Sequence, residues 1–218
     1  SGRALGHASQ QLRADPDIVL SAVQQNGHAF EHAAAELRGD CKFVLDVVRL
    51  NGESFLHALP HLRMDRDVVM AAVSLSGRAL RHASLELRAD RDVVLAAVAQ
   101  DAESFMYAAP QLRSDRSFVL SVVEQGGAAL QHATSELRSD REVVSVAIQQ
   151  DGTSYVHAMP HLRADRDLVW AAVQQSGFVL QYLEARFRED VDISLAAVAQ
   201  CDQAILHVAR PLQTDRAF

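Results

Sequence analysis

Asp stands at positions 15, 40, 65, 90, 115, 140, 165, 190 and 215, a spacing of 25 residues kept nine times without an insertion. Few folds are compatible with such a rule. A chain that repeats one short unit at fixed length must stack copies of one supersecondary structure, each burying its apolar stripe against the next. Arg stands two residues before each Asp from Arg13 to Arg188, giving way only at Gln213. Leu precedes that Arg throughout, with Phe187 as the one substitute.

The unit that begins at Asp90 predicts a helix. Asp90 sits where an N-cap belongs, its carboxylate accepting from the free amides of the first turn. In the first full unit Pro16 follows the cap, at the position where a helix needs no amide partner. Asp17, Asp67, Asp92, Glu142, Asp167 and Asp192 fall in the first turn, where the helix dipole favours negative charge. Val93, Val94, Ala97 and Val98 then form one broad apolar stripe.

Gly27, Gly52, Gly77, Gly127, Gly152 and Gly177 follow this helix and are expected to close it as left-handed C-terminal residues. Ala102 and Asp202 occupy the same column, so their turns should differ or carry strain. A second helix through residues such as Ala79, Leu80, Ala83 and Leu87 completes the unit. Neither helix is long enough to be stable alone, because isolated helices under ~12–15 residues are marginal in water. The expected fold is therefore an all-α, right-handed or shallow solenoid of about eight 25-residue helical hairpins. It should form a single repeat domain over residues 1–218. The chain does not begin with Met, opens inside a second helical segment and stops just after Asp215, as a segment of a longer array would.

A slower period overlies the first. Pro60, Pro110 and Pro160 recur every 50 residues with Ser54, Ser104 and Ser154, while alternate units carry Glu36, Glu86, Glu136 and Ala29, Ala79, Ala129. A pair of units is thus a candidate building block. The prolines are expected to end or bend every other second helix early.

Composition narrows the function classes. Hydrophobic residues at 49% and charged residues at 22% suit a folded chain. The longest apolar run, 93–99, is far short of the ~20 residues that cross a bilayer, and no secretory leader is visible. A net charge of −7 argues against a dedicated nucleic-acid binder. Cys41 and Cys201 occupy different places in the repeat, so both should be free thiols, which favours an intracellular or organellar reducing compartment.

Three sets of residues could carry chemistry. The column His7, His32, His57, His82, Tyr107, His132, His157, Tyr182 and His207 suggests either a metal ladder or a hydrogen-bonding column. Neighbouring helices lie ~8–10 Å apart, whereas zinc ligands approach the ion to about 2.0–2.1 Å. Tyr as substitute also suits a packed ring with one hydrogen bond. The column is therefore expected to link repeats, with no metal and no cofactor. His57/His61 and His157/His161 have the spacing of a metal pair, but Pro60 and Pro160 interrupt each. The second set is one charged edge, with Arg13 to Arg188 before the caps and Arg66, Arg91, Arg116, Arg141, Arg166 and Arg216 after them. With the caps and first-turn acids they should form a neutralised ionic ladder, serving solubility or a rim that partners read.

The third set is unrepeated. A repeated residue is explained by the repeat, and an active site needs residues that are not; no nucleophile elbow or phosphate loop appears. Trp170, Cys41, Lys42, Ser145, Phe178 and the segment 181–187 stand out. Trp170 occupies the Leu95 position and is expected to fill core. Phe178, Gln181, Tyr182, Arg186 and Phe187, in the altered seventh unit, form the candidate partner contact.

The run from Asp90 to Val98, the glycine, the His-Ala pair and the Leu-Arg-x-Asp ending resemble the tandem helical repeat family called domain of unknown function 4116. The likeness spans essentially the whole chain and is weaker at 181–194 and after Cys201. It implies repeat architecture and an interaction role, and it brings no catalytic residues. Together these readings point to a non-catalytic protein-interaction scaffold or linker subunit of a larger assembly, with a nucleic-acid-binding helical repeat as the alternative.

Overall fold

The computed structural model of the protein describes residues 2–213, and among these there is no strand. The fold is an all-α repeat solenoid whose unit is a hairpin with a divided second arm. The first arm is a ten-residue α-helix, for example Arg66–Leu75 or Arg166–Gln175. The second begins as a six-residue 3-10 helix, Gly77–His82 or Gly177–Tyr182, and ends in a short helix such as Pro60–Met64 or Ala185–Arg188.

The chain divides into two compact units, Ser1–Pro110 and Gln111–Phe218. In the first, the long helices Pro16–Gln25, Cys41–Leu50, Arg66–Leu75 and Arg91–Gln100 pack in sequence as one layer, and the 3-10 helices pack in sequence as a second. The second unit repeats this with Arg116–Gln125, Arg141–Gln150, Arg166–Gln175 and Val191–Gln200. The apolar stripe lies between the layers. Val93, Val94, Ala97 and Val98 are buried from one side, and Phe30, Phe55, Leu80 and Phe105 fill the other.

The expected single second helix is interrupted because its backbone is needed elsewhere. After each 3-10 helix the chain turns extended (Ala58 φ −61°, ψ 148°; Ala83 φ −67°, ψ 159°). The next amide then donates to the preceding repeat: Leu59 N to Arg38 O at 2.9 Å, Ser84 N to Arg63 O at 3.0 Å, Met159 N to Arg138 O at 3.0 Å. An amide inside an α-helix is already bonded to its own turn and could not do this. The sequence carries the signature of the 3-10 segment in a period of three. Gly77, Leu80 and Ala83 form one buried ridge and Ala79 and His82 another, as expected where residues three apart eclipse.

Three local expectations need correction. No described glycine has positive φ, so none closes a helix in the left-handed region. The residue before this column is instead the cap of the 3-10 helix: Asn26, Asn51 and Asp151 before glycines, and Asp101 before Ala102, accept from the amides of His28, Glu53, Thr153 and Glu103 respectively. The glycine is required by close approach. A Cβ at Gly77 would sit 2.5 Å from the Ala97 carbonyl oxygen, and one at Gly152 would sit 2.6 Å from that of Ala172. Ala102 and Asp202 accordingly show no altered turn; Asp101 has φ −155°, ψ 110° and Cys201 φ −150°, ψ 110°, like the caps of the other units. The prolines open helices rather than ending them, since Pro60, Pro110 and Pro160 are each the first residue of a short helix.

The 50-residue period shows at the same contact, where Ser54, Ser104 and Ser154 are all fully buried and the hydroxyls of Ser104 and Ser154 have no partner. The Ser54 hydroxyl donates to the Gly27 carbonyl at 2.9 Å, while Ala29, Ala79 and Ala129 fill the equivalent place in alternate repeats. Gly152→Ala should cost about 1–3 kcal/mol by overpacking, read as a lower urea midpoint. Gly39→Ala, inside the short helix Ala35–Gly39 where the new Cβ crowds only the movable end of Leu59 and makes ordinary contact with His61, should be neutral or slightly stabilising.

Candidate functional site

The cap aspartates Asp90, Asp140, Asp165 and Asp190 work with both oxygens. Oδ1 of Asp90 accepts from the amides of Asp92 and Val93, and Oδ2 accepts from Nε of Arg66 in the preceding repeat at 2.8 Å. Asp140 does the same with Glu142, Val143 and Arg116, the last at 2.7 Å. Asp15, Asp40, Asp65, Asp115, Asp165 and Asp190 each cap their own helix through first-turn amides. Asp215 and Arg216 lie outside the described residues. The bridging arginine also reaches the neighbour's first-turn acid, Arg66 to Asp92 at 2.8 Å and Arg141 to Asp167 at 3.3 Å.

The ionic ladder is narrower than the sequence suggests, because only the arginines after the caps join it. Among the described residues no ion pair involves Arg13, Arg38, Arg63, Arg113, Arg138, Arg163 or Arg188. Their Nε atoms are buried without a hydrogen-bond partner. A buried donor left without an acceptor costs roughly 1–3 kcal/mol, so this column is held by the stacking of the repeats. Arg88 is placed differently, its Nε donating to the Tyr107 carbonyl at 2.6 Å. At Arg163 it is the carbonyl that stands out, receiving the Tyr155 hydroxyl at 2.6 Å. Burial pushes that phenol up to about 12.

The His/Tyr column lies against these arginines and bonds to residues 29 positions earlier. His57 Nε2 is 3.2 Å from His28 Nδ1, and His82 Nε2 is 3.2 Å from Glu53 Oε2. His32 lies 3.3 Å from Glu31. The links therefore run from the column to the first turn of the neighbouring 3-10 helix, not along the column. His132, His157, Tyr182 and His207 hold the equivalent place at the ends of the second unit's 3-10 helices. Burial lowers the pKa of His57, with Glu31 opposing and His28, His82 and Arg38 reinforcing. Burial likewise lowers His82, with Glu53 opposing and Arg81 and Arg63 reinforcing. No group of three or more His, Cys, Asp or Glu suited to a metal occurs among the described residues. Cys41 and Cys201 are free.

The altered seventh repeat separates into exposed and buried parts. Phe178 and Tyr182 form an exposed edge-to-face pair with centroids 6.3 Å apart. Arg186 pairs with Glu184 at 3.0 Å and lies over the Phe187 ring. Phe187 itself is only 6% exposed and cannot face a partner, because it occupies the inward Leu column. The Gln181 side-chain nitrogen is buried without a partner.

Trp170 also departs from expectation. Its column is half-buried, not core, and the indole is 37% exposed. Together with Leu195, Ala196 and Ala199 of the next long helix it floors an open groove of ≈ 560 Å³, rimmed by Arg166, Asp167 and Asp192. Sequence reading singled out Trp170 as unrepeated but not the groove, which needs Leu195 brought beside it from the following repeat.

The two-layered stack of 25-residue units and the absence of a long apolar helix among the described residues define an all-α tandem repeat protein. The chain belongs to the family described as Domain of unknown function (DUF4116), whose model matches residues 1–38, 40–88, 65–113, 90–134, 115–163 and 165–212. Neither a curated protein nor a solved structure matches it.

Two pH dependences follow. Hydrogen bonding from Arg66 and Arg116 holds Asp90 and Asp140 below the ordinary 3.8, so the stability they contribute is present above that value and lost as pH falls through the depressed values. Arg66→Gln with Arg116→Gln should move the midpoint of acid unfolding, followed by circular dichroism, to higher pH. His57 and His82 have the opposite charge type. Their lowered pKa means the unfolded chain takes up protons first, so stability declines as pH falls below the ordinary 6.5. His82→Gln should flatten the change in urea midpoint between pH 7.5 and 5.5.

Proposed function

We propose that the chain is a non-catalytic protein-interaction scaffold, acting as a structural or linker element of a larger assembly. The observation that carries this reading is the groove beside Trp170. Its volume falls in the ~300–1,000 Å³ range of ordinary binding sites, its floor is apolar, and its one aromatic residue is of the type that dominates interface energetics. Asp167 and Asp192 stand on the rim with their side chains 87% and 76% exposed, paired to Arg141 at 3.3 Å and to Arg166 at 3.8 Å. Such a groove suits a partner segment that presents an apolar side chain flanked by Lys or Arg.

The remaining polar columns support a structural assignment. Ser54, Ser104 and Ser154 are fully buried, and His57 and His82 are held by His28 and Glu53, so neither set is placed to act on a substrate. Nucleic-acid readout by helical repeats calls for a basic face. Here Arg66, Arg116, Arg141 and Arg166 are each matched by carboxylates, and the chain is acidic overall.

Trp170 is the single tryptophan, so its fluorescence reports on the groove directly. A synthetic Leu/Lys amphipathic helical peptide should bind saturably with a blue shift of the emission. Asp167→Lys with Asp192→Lys should weaken binding about tenfold or more, ~1.4 kcal/mol. Equal binding of a Leu/Glu peptide, or no response to either peptide, would overturn the assignment of this groove.

A further inference from the structure

The two units contain the same cavity. One, of ≈ 190 Å³, is lined by Pro60, Arg63, Met64, His82, Ala83 and Ser84. The other, of ≈ 250 Å³, is lined by Arg188, His207 and their neighbours, with each equivalent residue 125 positions, or five repeats, further on. Both therefore arise from the repeat itself. Each forms where the short helix of one unit meets the extended turn of the next, beside the bonds from Ser84 N to Arg63 O and from Ala209 N to Arg188 O. The arginine in each belongs to the column with buried, unpartnered Nε and no carboxylate partner.

We propose that these cavities are oxyanion sites, each taking one carboxylate or phosphate group presented by a ligand. Arg63 and Arg188 are the recognition residues. A guanidinium offers a planar fork of donors that matches carboxylate and phosphate geometry. Its Nε edge is buried in the stack, which leaves the terminal amino groups as the edge for a ligand. The nearby histidine is a wall and not the principal donor, because His82 Nε2 already meets Glu53. The volumes lie below the usual range for a whole small-molecule ligand, so a single charged group fits and a nucleotide does not. No acid lines the cavity at Arg63; at Arg188 the rim carries both Glu189 and Arg210. The site is separate from the Trp170 groove and does not depend on it.

The chain contains its own control. Arg88 occupies the same column, but its Nε donates to the Tyr107 carbonyl and its neighbour is Tyr in place of His. The test is a nuclear magnetic resonance titration of the arginine Nε–Hε and histidine imidazole signals of the full chain. Inorganic phosphate and acetate are added separately, with sodium chloride at matched ionic strength as reference. Arg63 and Arg188 should shift saturably with at least one of the two oxyanions, while Arg88 stays near its starting position. The anion that saturates at lower concentration identifies phosphate or carboxylate as the source. Arg63→Gln should abolish the response of His82 and leave that of His207, and Arg188→Gln should do the reverse, so each unit tests the other if one variant fails to fold. The proposal is overturned if sodium chloride reproduces the shifts, if Arg88 moves as far as Arg63, or if neither oxyanion shifts either arginine.

Discussion

The backbone hydrogen bond between consecutive repeats, from the amide after the 3-10 helix to the carbonyl of the Leu-Arg arginine one unit earlier, is the constraint on which the rest of the architecture depends. It requires an extended residue at that point, so the second arm cannot be one helix. It sets the register between units to the residue and so forbids insertions, which accounts for a period of 25 without exception. Such bonds contribute modestly each, about 1 kcal/mol net. They recur along each unit except at Arg163, whose carbonyl takes the Tyr155 hydroxyl instead, and the accompanying apolar burial makes each repeat depend on its neighbours.

Close approach follows from that register. At Gly77, Gly127, Gly152 and Gly177, where the start of one 3-10 helix meets the end of the next long helix, a carbonyl oxygen lies where a Cβ would stand, so glycine is needed there for space and not for its backbone freedom. The neighbouring Ser/Ala alternation falls at the same contact: Ser54 donates to the Gly27 carbonyl, Ser104 and Ser154 are buried without a partner, and a bare methyl stands in the alternate repeats. The cap aspartate adds a second, weaker tie. One oxygen ends its own helix and the other takes the arginine of the preceding unit, so helix initiation and repeat stacking share one side chain. Exposed ion pairs of this kind are worth ~0–1 kcal/mol. The cap is the larger contribution, at about 0.5–2 kcal/mol.

Function has to be sought where the repeat leaves something over. Two arginine columns that look alike in sequence have different fates. Those after the caps are neutralised by Asp90, Asp140, Asp165 and Asp190, while those before the caps, Arg88 excepted, are drawn into the stack with their Nε atoms unmatched. The unrepeated Trp170 is the other surplus, an indole on a face whose counterparts are Leu, Met and Ser. It gains a groove only because Leu195 stands beside it in the next repeat.

What the sequence determined alone was local and periodic: the helix that starts at each Asp, the stripe of Val93, Val94, Ala97 and Val98, the number of units and the family. These depend on capping and on apolar spacing, which act within a few residues and are written in residue identity. The prolines follow the local rule for a first helical residue, whereas the glycine and second-arm expectations failed for one physical reason. Each residue is chosen for a neighbour 20 or more positions away, such as Ala97 for Gly77 and Ser84 for Arg63, and local rules do not see that neighbour. Tertiary structure likewise decided that Phe187 is core, that Trp170 is surface, and that Arg63 and His82 wall one cavity. Burial and juxtaposition are properties of the stack, and a column in a sequence does not say which way it faces.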